Sequence, residues 1–110
     1  MEVVKIVNED VVILKMDGKL DAVSSVEVEK AFNEVISDGH KKIVINMSGV
    51  SYISSAGLRV LLVAAKNIRE IDGKIIISSM INSVKKVFEI SGFSTIFTIV
   101  ENDEEAINRF

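Results

Sequence analysis

Two adjacent serines, Ser54 and Ser55, stand where an apolar, strand-like run gives way to a leucine-rich helical segment: residues 52–62 read YISSAGLRVLL. A serine hydroxyl at a helix start can accept a hydrogen bond from an unpaired backbone N–H, which is the capping role. The same helix end also tolerates a phosphate dianion, because its free N–H groups and dipole favour negative charge. The small neighbours Ala56 and Gly57 leave the hydroxyl open to the approaching active site of another protein. The pattern leaves both roles open for these serines.

Serine hydrolysis is not favoured, because the two serines lack a base. The only histidine, His40, follows Gly39 and is predicted to be a solvent-exposed turn residue, at the opposite end of a strand from the serines. The window GVSYI is one residue short of a nucleophile elbow, since Ile53 replaces the second glycine. SSAGLR has one glycine and no lysine, so it is not a phosphate-binding loop. We therefore expect no catalytic residues and no enzyme.

Metal and cofactor binding are not expected either. The chain has no cysteine and one histidine, which excludes disulfides and cysteine-ligated metal. Its carboxylate groups, such as Glu27 with Glu29 and the acidic run 103–105, are interpreted as solvated helix faces or as compensation of a helix dipole.

Composition favours one cytoplasmic domain spanning residues 1–110. Apolar residues make up 48% of the chain, which is enough for a core, and the net charge of −3 argues against nucleic-acid binding. The longest apolar runs, such as Val60–Ala65, are far shorter than the roughly 20 residues of a membrane span. The N-terminus shows no export signal.

Periodicity predicts the element order β-β-α-β-α-β-α-β-α. Asn8-Glu9 is predicted to be a hairpin turn, and the pairs Asp17-Gly18, Asp38-Gly39 and Asp72-Gly73 should each end an element. The predicted strands are Val3–Val7, Asp10–Met16, Lys42–Met47, Lys74–Ser78 and Ile96–Val100. The alternation with helices implies an α/β fold with a mainly parallel or mixed sheet of about five strands covered by about four helices.

Four helices fill the intervals. The first has Ser24 or Ser25 as its predicted N-cap and runs to Asp38-Gly39, the second opens at Ala56 or Gly57, the third spans Ser83–Ser91, and the last lies within NDEEAINRF. Helical spacing predicts inward-facing side chains in the first three: Val28, Ala31, Phe32, Val35 and Ile36; Leu58, Leu61, Leu62, Ala65 and Ile68; Val84, Val87, Phe88 and Ile90. Met80 and Ile81 are expected to be exposed and could join an interface.

Three segments together resemble the STAS domain, specifically the bacterial anti-sigma factor antagonists. They are VINMSGVSYISSAGLRVLL, LKMDGKLDAVSS and DGKIIISSMINSVKKVFEISGFSTIFTIVENDEEAI, which cover essentially the whole chain. The resemblance implies a single STAS-like domain and a regulatory binding protein. Such proteins bind an anti-sigma factor, typically a serine kinase that binds ATP, and so release a sigma factor for transcription.

The resemblance also assigns residues. Ser55 falls at the phosphoacceptor position, with Ser54 as the less favoured alternative, and Asp21 falls at an acidic position near the acceptor. Asp21, Ser54, Ser55, Ala56 and Gly57 are accordingly expected to bind the partner. Phosphorylation by the anti-sigma factor ends binding, and a phosphoserine phosphatase restores it. Without the resemblance, Asp21 is interpreted as a turn residue or N-cap.

Two positions depart from the family pattern. Relatives often carry aspartate where this chain has Ser54 and Asn46, so kinase recognition is expected to differ. The alternative function is a STAS scaffold or ligand-sensing module in a stress-signalling or transport complex. Such a module would usually carry a sensor domain or a membrane segment, and neither is visible in these 110 residues.

Overall fold

The fold is an α/β sandwich built on one five-stranded sheet, seen in a computed structural model that describes residues 1–110. The strands are β1 (Glu2–Asn8), β2 (Val11–Leu20), β3 (Lys42–Ile53), β4 (Lys74–Ser78) and β5 (Thr98–Val100). The helices are α1 (Ser24–Ser37), α2 (Ser55–Glu70), α3 (Asn82–Ser91) and α4 (Asp103–Ile107), with a short 3-10 helix at Phe93–Thr95. The predicted element order is confirmed.

The sheet is mixed, with its strands in sequence order. β1 pairs antiparallel with β2, and the remaining pairs, β2–β3, β3–β4 and β4–β5, are parallel. Parallel neighbours require crossover connections, which α1, α2 and α3 supply. The carboxyl ends of β2 and β3 therefore lie side by side, each followed by a helix.

The two faces of the sheet are covered very unequally. The face under α1, α2 and α3 carries a core of 22 buried residues, including Phe32 and Phe88. The opposite face carries six, covered by α4 and the chain end, where Ile107 and Phe110 pack against them. None of the helices combines the length and the apolar character that a membrane-spanning segment requires.

A polar cluster fastens α4 to its face of the sheet. Asn46 Nδ2 donates to both carboxylate oxygens of Asp103 at 2.9 and 3.0 Å, and Ser78 Oγ donates to Asp103 Oδ1 at 2.6 Å. Both Asn46 and Ser78 are buried. An aspartate at position 46 could not donate in its charged form. The hydrogen bonds to Asp103 thus give a structural reason for asparagine at position 46, one of the two positions that depart from the family pattern.

Several predicted boundaries are wrong. The hairpin turn is Glu9-Asp10, because Asn8 pairs with Val11. Asp17-Gly18 does not end its strand: β2 continues to Leu20, with register shifts in its pairing with β3 on either side of Gly18. β3 continues beyond Met47 to Ile53, and β5 begins at Thr98. The Asp38-Gly39 and Asp72-Gly73 breaks are confirmed.

Four predictions of burial or exposure also need correction. Ile90 is 82% exposed and Leu62 is 40% exposed, whereas both had been expected to face inward. The buried face of α2 is instead formed by Gly57, Val60, Leu61, Ala64, Ala65 and Ile68. His40 is half-buried, and Met80 packs partly against the core, so neither is fully exposed.

Candidate functional site

The start of α2 is fixed by Ser54, which has the extended backbone conformation of an N-cap. Its Oγ accepts a hydrogen bond from the backbone N–H of Gly57 at 3.2 Å, and its carbonyl accepts from Leu58 N at 3.0 Å. Its own N–H donates to the carbonyl of Leu20 at 2.9 Å. The helix therefore begins at Ser55, one or two residues before the predicted start at Ala56 or Gly57, and the hydroxyl of Ser54 is engaged in capping.

Ser55 differs from its neighbour in every respect that bears on chemistry. It is the first residue of α2, it is exposed, and its hydroxyl makes no side-chain hydrogen bond within the chain. The result is a free nucleophilic oxygen at the positive end of a 16-residue helix.

Gly57 brings this helix start close to the end of β2. A Cβ atom at position 57 would lie 2.7 Å from Leu20 Cγ and 2.8 Å from the Leu20 carbonyl oxygen, distances at which real side chains clash. Only glycine permits that approach. Because Asp21 follows Leu20, the same contact places the Asp21 turn beside the β3–α2 junction.

Asp21 caps α1 although it lies two residues before Val23, the residue that flanks the helix. Its Oδ1 accepts from the backbone N–H groups of Val23 at 3.1 Å and Ser24 at 3.0 Å. The Ser24 N–H is the main cause that holds the pKa of the Asp21 carboxyl below its usual value, against an opposing effect of desolvation, and the Ser24 hydroxyl and Val23 N–H act in the same direction. The prediction that Ser24 or Ser25 caps the helix is wrong, since both lie inside it.

A shallow hollow of about 330 Å³ opens between α1 and α2 next to Ser55. It is lined by Ser25, Val26, Glu29, Ala56, Arg59, Val60 and Val63. Val26 is 70% exposed and Val23, one turn earlier, is 80% exposed. Large exposed apolar side chains surrounded by a rim of polar residues are typical of a protein-binding surface.

The five residues predicted to bind the partner thus come from two junctions at one edge of the sheet. Asp21 lies at the β2–α1 junction, and residues 54–57 lie at the β3–α2 junction. Sequence analysis did not identify Val23, Val26 or Arg59 as part of this surface. The available signal was the spacing of Arg59, four residues after Ser55, which places both on one helix face.

The only histidine of the chain lies away from this surface. His40 precedes β3, at the other end of the 12-residue strand from Ser54. No group of three or more histidine, cysteine, aspartate or glutamate side chains is arranged to hold a metal ion.

Comparisons with known proteins agree with one another. The family model described as the STAS domain matches residues 2–106. BtrV of Bordetella bronchiseptica, a candidate anti-sigma factor antagonist, is 33% identical over 95 residues, covering 86% of this chain and 82% of BtrV. A candidate anti-sigma factor antagonist from Thermotoga maritima has a crystal structure that matches with a TM-score of 0.92 and 26% identity, over 97% and 92% of the two chains. The Bacillus cell fate determinant SpoIIAA in its phosphorylated form matches with a TM-score of 0.76 and 23% identity, over 98% of both chains.

Proposed function

The chain belongs to the STAS domain family, and from that premise we propose that it is an anti-sigma factor antagonist switched off by phosphorylation of Ser55. It binds an anti-sigma factor that is itself a serine kinase, and so releases a sigma factor for transcription in the cytoplasm. Its relative BtrV is named for the same general role. The protein acts by binding, and ATP is bound by the partner.

The exposed hydroxyl of Ser55 is the observation that carries this proposal. Of the two serines at the junction, Ser54 is committed to the helix cap, while Ser55 has an unengaged oxygen facing solvent. Phosphorylating Ser54 would replace the cap, whereas phosphorylating Ser55 leaves every hydrogen bond of the junction in place. The fold also tolerates the modification, since the phosphorylated form of SpoIIAA shares it.

The proposed reaction is an ordinary phosphoryl transfer. The Oγ atom of Ser55 attacks the γ-phosphorus of ATP held by the kinase, a new O–P bond forms, and the bond to the bridging β–γ oxygen breaks. ADP leaves with that electron pair, and a base on the kinase takes the hydroxyl proton. A phosphoserine phosphatase reverses the modification by hydrolysis of the same ester.

Phosphorylation has a large enough effect to release the partner. It adds about −1.5 to −2 units of charge at neutral pH, to a chain whose net charge is already −3. If Ser55 lies inside the interface, an unpaired buried charge weakens binding by roughly 2–5 kcal/mol, which is about 30-fold to several thousand-fold in affinity.

Asp21 has a second role in this proposal besides capping α1. Its carboxylate lies beside the acceptor junction and helps to present Ser55 to the kinase. Asp21→Asn keeps an oxygen that can accept from Val23 and Ser24 and removes the charge. We expect it to slow phosphate incorporation while leaving the melting temperature nearly unchanged. A large fall in melting temperature would limit Asp21 to the capping role.

The binding test uses the anti-sigma factor recovered with the protein from native cytoplasm, purified and titrated calorimetrically. Ser55→Ala should bind like the wild type, and Ser55→Asp should bind at least about tenfold more weakly. Ser94→Asp is the control, because it adds the same charge at an exposed serine at the opposite end of the sheet. Equal affinities for Ser55→Ala and Ser55→Asp would place the switch elsewhere.

A further inference from the structure

Arg59 lies one helical turn after Ser55 and has no partner of its own. Residues four apart on a helix are surface neighbours, with Cβ atoms about 5–6 Å apart. Both side chains are exposed. The ion pairs of the chain are Lys5–Asp38, Lys42–Asp10 and Lys85–Glu101. No carboxylate oxygen therefore lies within 4.0 Å of the Arg59 guanidinium.

The first turn of α2 lacks the acidic residue that often stabilises a helix start. The first turn of α3 lacks one too, whereas α1 has Glu27 and α4 has three acidic residues in the corresponding turn. A helix N-terminus is stabilised by negative charge. The first charged side chain along α2 is the cation Arg59, so the helix has no acidic side chain of its own at its start until an anion is attached at Ser55.

Glu29 of α1 is the competitor for Arg59, since both line the hollow between α1 and α2. It carries one negative charge and stands on a different helix. A phosphate on Ser55 carries nearly two charges, stands on the same helix, and lies N-terminal to the arginine, which is the favourable order for an acid–base pair at this spacing. The planar guanidinium can also bond two phosphate oxygens at once.

We propose that Arg59 binds the phosphate of phospho-Ser55 and holds it against the start of α2. This inference rests on the proposed phosphorylation of Ser55 and goes beyond it in assigning the residue that positions the modified side chain. The phosphorylated domain is then more stable than the unmodified one. The phosphate dianion is then held at a fixed place on the partner-binding surface, where it opposes the binding of the anti-sigma factor.

The test places phosphoserine at position 55 of the full chain during translation, in the wild type and in Arg59→Gln, Arg59→Lys and Lys66→Gln. Lys66 is the control: it is an exposed, unpaired cation of the same helix, about 16 Å along the axis from Ser55. Phosphorus NMR then follows the second pKa of the phosphoserine, which is ordinarily about 6. Glu29 and Asp21, the acidic groups beside this position, are the same in every variant, so the comparison isolates the arginine.

We expect the wild-type phosphoserine to titrate roughly 0.3 unit or more below that of Arg59→Gln, because the arginine favours the dianion. Arg59→Lys should recover part of the shift, Lys66→Gln should match the wild type, and salt near 1 M should narrow the difference. Phosphoserine at position 55 should raise the melting temperature of the wild type more than it raises that of Arg59→Gln.

Equal phosphoserine pKa values in the wild type and Arg59→Gln would overturn the inference, as would an equal shift in Lys66→Gln. Because the phosphate is installed without a kinase, neither result depends on which serine the natural kinase modifies. Failure of the proposed function would appear separately, as natural phosphate on a residue other than Ser55.

Discussion

Of the three pairs of adjacent serines in the chain, the pair at the β2–α1 junction and the pair at the β3–α2 junction lie at the same end of the sheet but differ in burial and hydrogen bonding. Ser24 and Ser25 open α1 after β2, while Ser54 and Ser55 flank the start of α2 after β3. Ser24 and Ser25 are buried, with exposures of 6% and 5%. Ser55 is exposed and unbonded. An identical dipeptide at an equivalent junction is structural in one place and available for modification in the other.

The position of the capping side chain explains the difference. At α1 the cap is Asp21, so both serines fall within the first helical turn and bond back to the preceding backbone, Ser24 to the Lys19 carbonyl at 2.6 Å and Ser25 to the Asp21 carbonyl. At α2 the cap is Ser54 itself, which leaves Ser55 as the first helical residue with nothing to bond. The capping residue of α2 lies one position before Ser55, whereas that of α1 lies three positions before Ser24. This difference decides whether the serine hydroxyl at the helix start is free.

The largest stability effect expected from breaking this arrangement is at Gly57. Gly57→Ala places a Cβ against the Leu20 carbonyl, a backbone atom that cannot turn aside. We expect the free energy of unfolding to fall by about 1–3 kcal/mol, as for other overpacked sites. Urea unfolding followed by circular dichroism measures it. An unchanged midpoint would mean that α2 does not depend on close contact with β2.

The buried serines should be the next most sensitive. Ser24→Ala removes the hydroxyl that donates to the Lys19 carbonyl and accepts from the Asp21 N–H, so we expect a loss of about 1–2 kcal/mol in urea unfolding. Ser55→Ala is the matched comparison at the other junction and should change stability by less than about 0.5 kcal/mol. The contrast between the junctions would be contradicted by equal losses.

A smaller effect is expected at the cap of α2. Ser54→Ala removes the acceptor for Gly57 N–H and should lower the free energy of unfolding by about 1 kcal/mol. Ser54→Asp retains an acceptor and adds a favourable charge at the helix start, so it should restore stability. A Ser54→Ala variant as stable as Ser55→Ala would show that the two serines are not distinguished by capping.

The smallest effect is the pH dependence contributed by Asp21. Its pKa is lowered below 3.8 in the folded protein, so its charged form contributes stability that is fully present above about pH 4 and is lost as pH falls through the lower folded value. Between pH 6 and pH 3 the wild type should therefore lose more stability than Asp21→Asn. Parallel pH profiles of melting temperature for the wild type and Asp21→Asn would contradict the capping role of the Asp21 carboxylate.

The order of elements followed directly from local pattern, whereas several of their boundaries did not. Asp17-Gly18 is a strong turn signal, yet residues 17 and 18 pair with Gly49 and Val50 of β3. Pairing with a parallel neighbour 32 residues away overrides the local preference, and a short-range pattern carries no information about that partner. The register shifts on either side of Gly18 are how the strand accommodates it.

The candidate site was proposed by resemblance, and physical reasoning supplied only part of it. Capping chemistry suggested that one of Ser54 and Ser55 was engaged, and the structure assigns that role to Ser54. The approach of Asp21 depends on Gly57 meeting Leu20, a contact between residues 37 apart in the chain. The same contact fixes the rotation of α2 about its axis, which is why Gly57 and Val60 are buried and Leu62 is not.

The central claim is that one serine of the four is the phosphoacceptor, and it is tested most directly by mapping the phosphate. The purified protein is incubated with its anti-sigma factor kinase and ATP, and the modified residue is located by tandem mass spectrometry. The account predicts a single phosphate, on Ser55, and none on Ser55→Ala. Phosphate on Ser54, Ser24 or Ser25, or continued modification of Ser55→Ala, would contradict it.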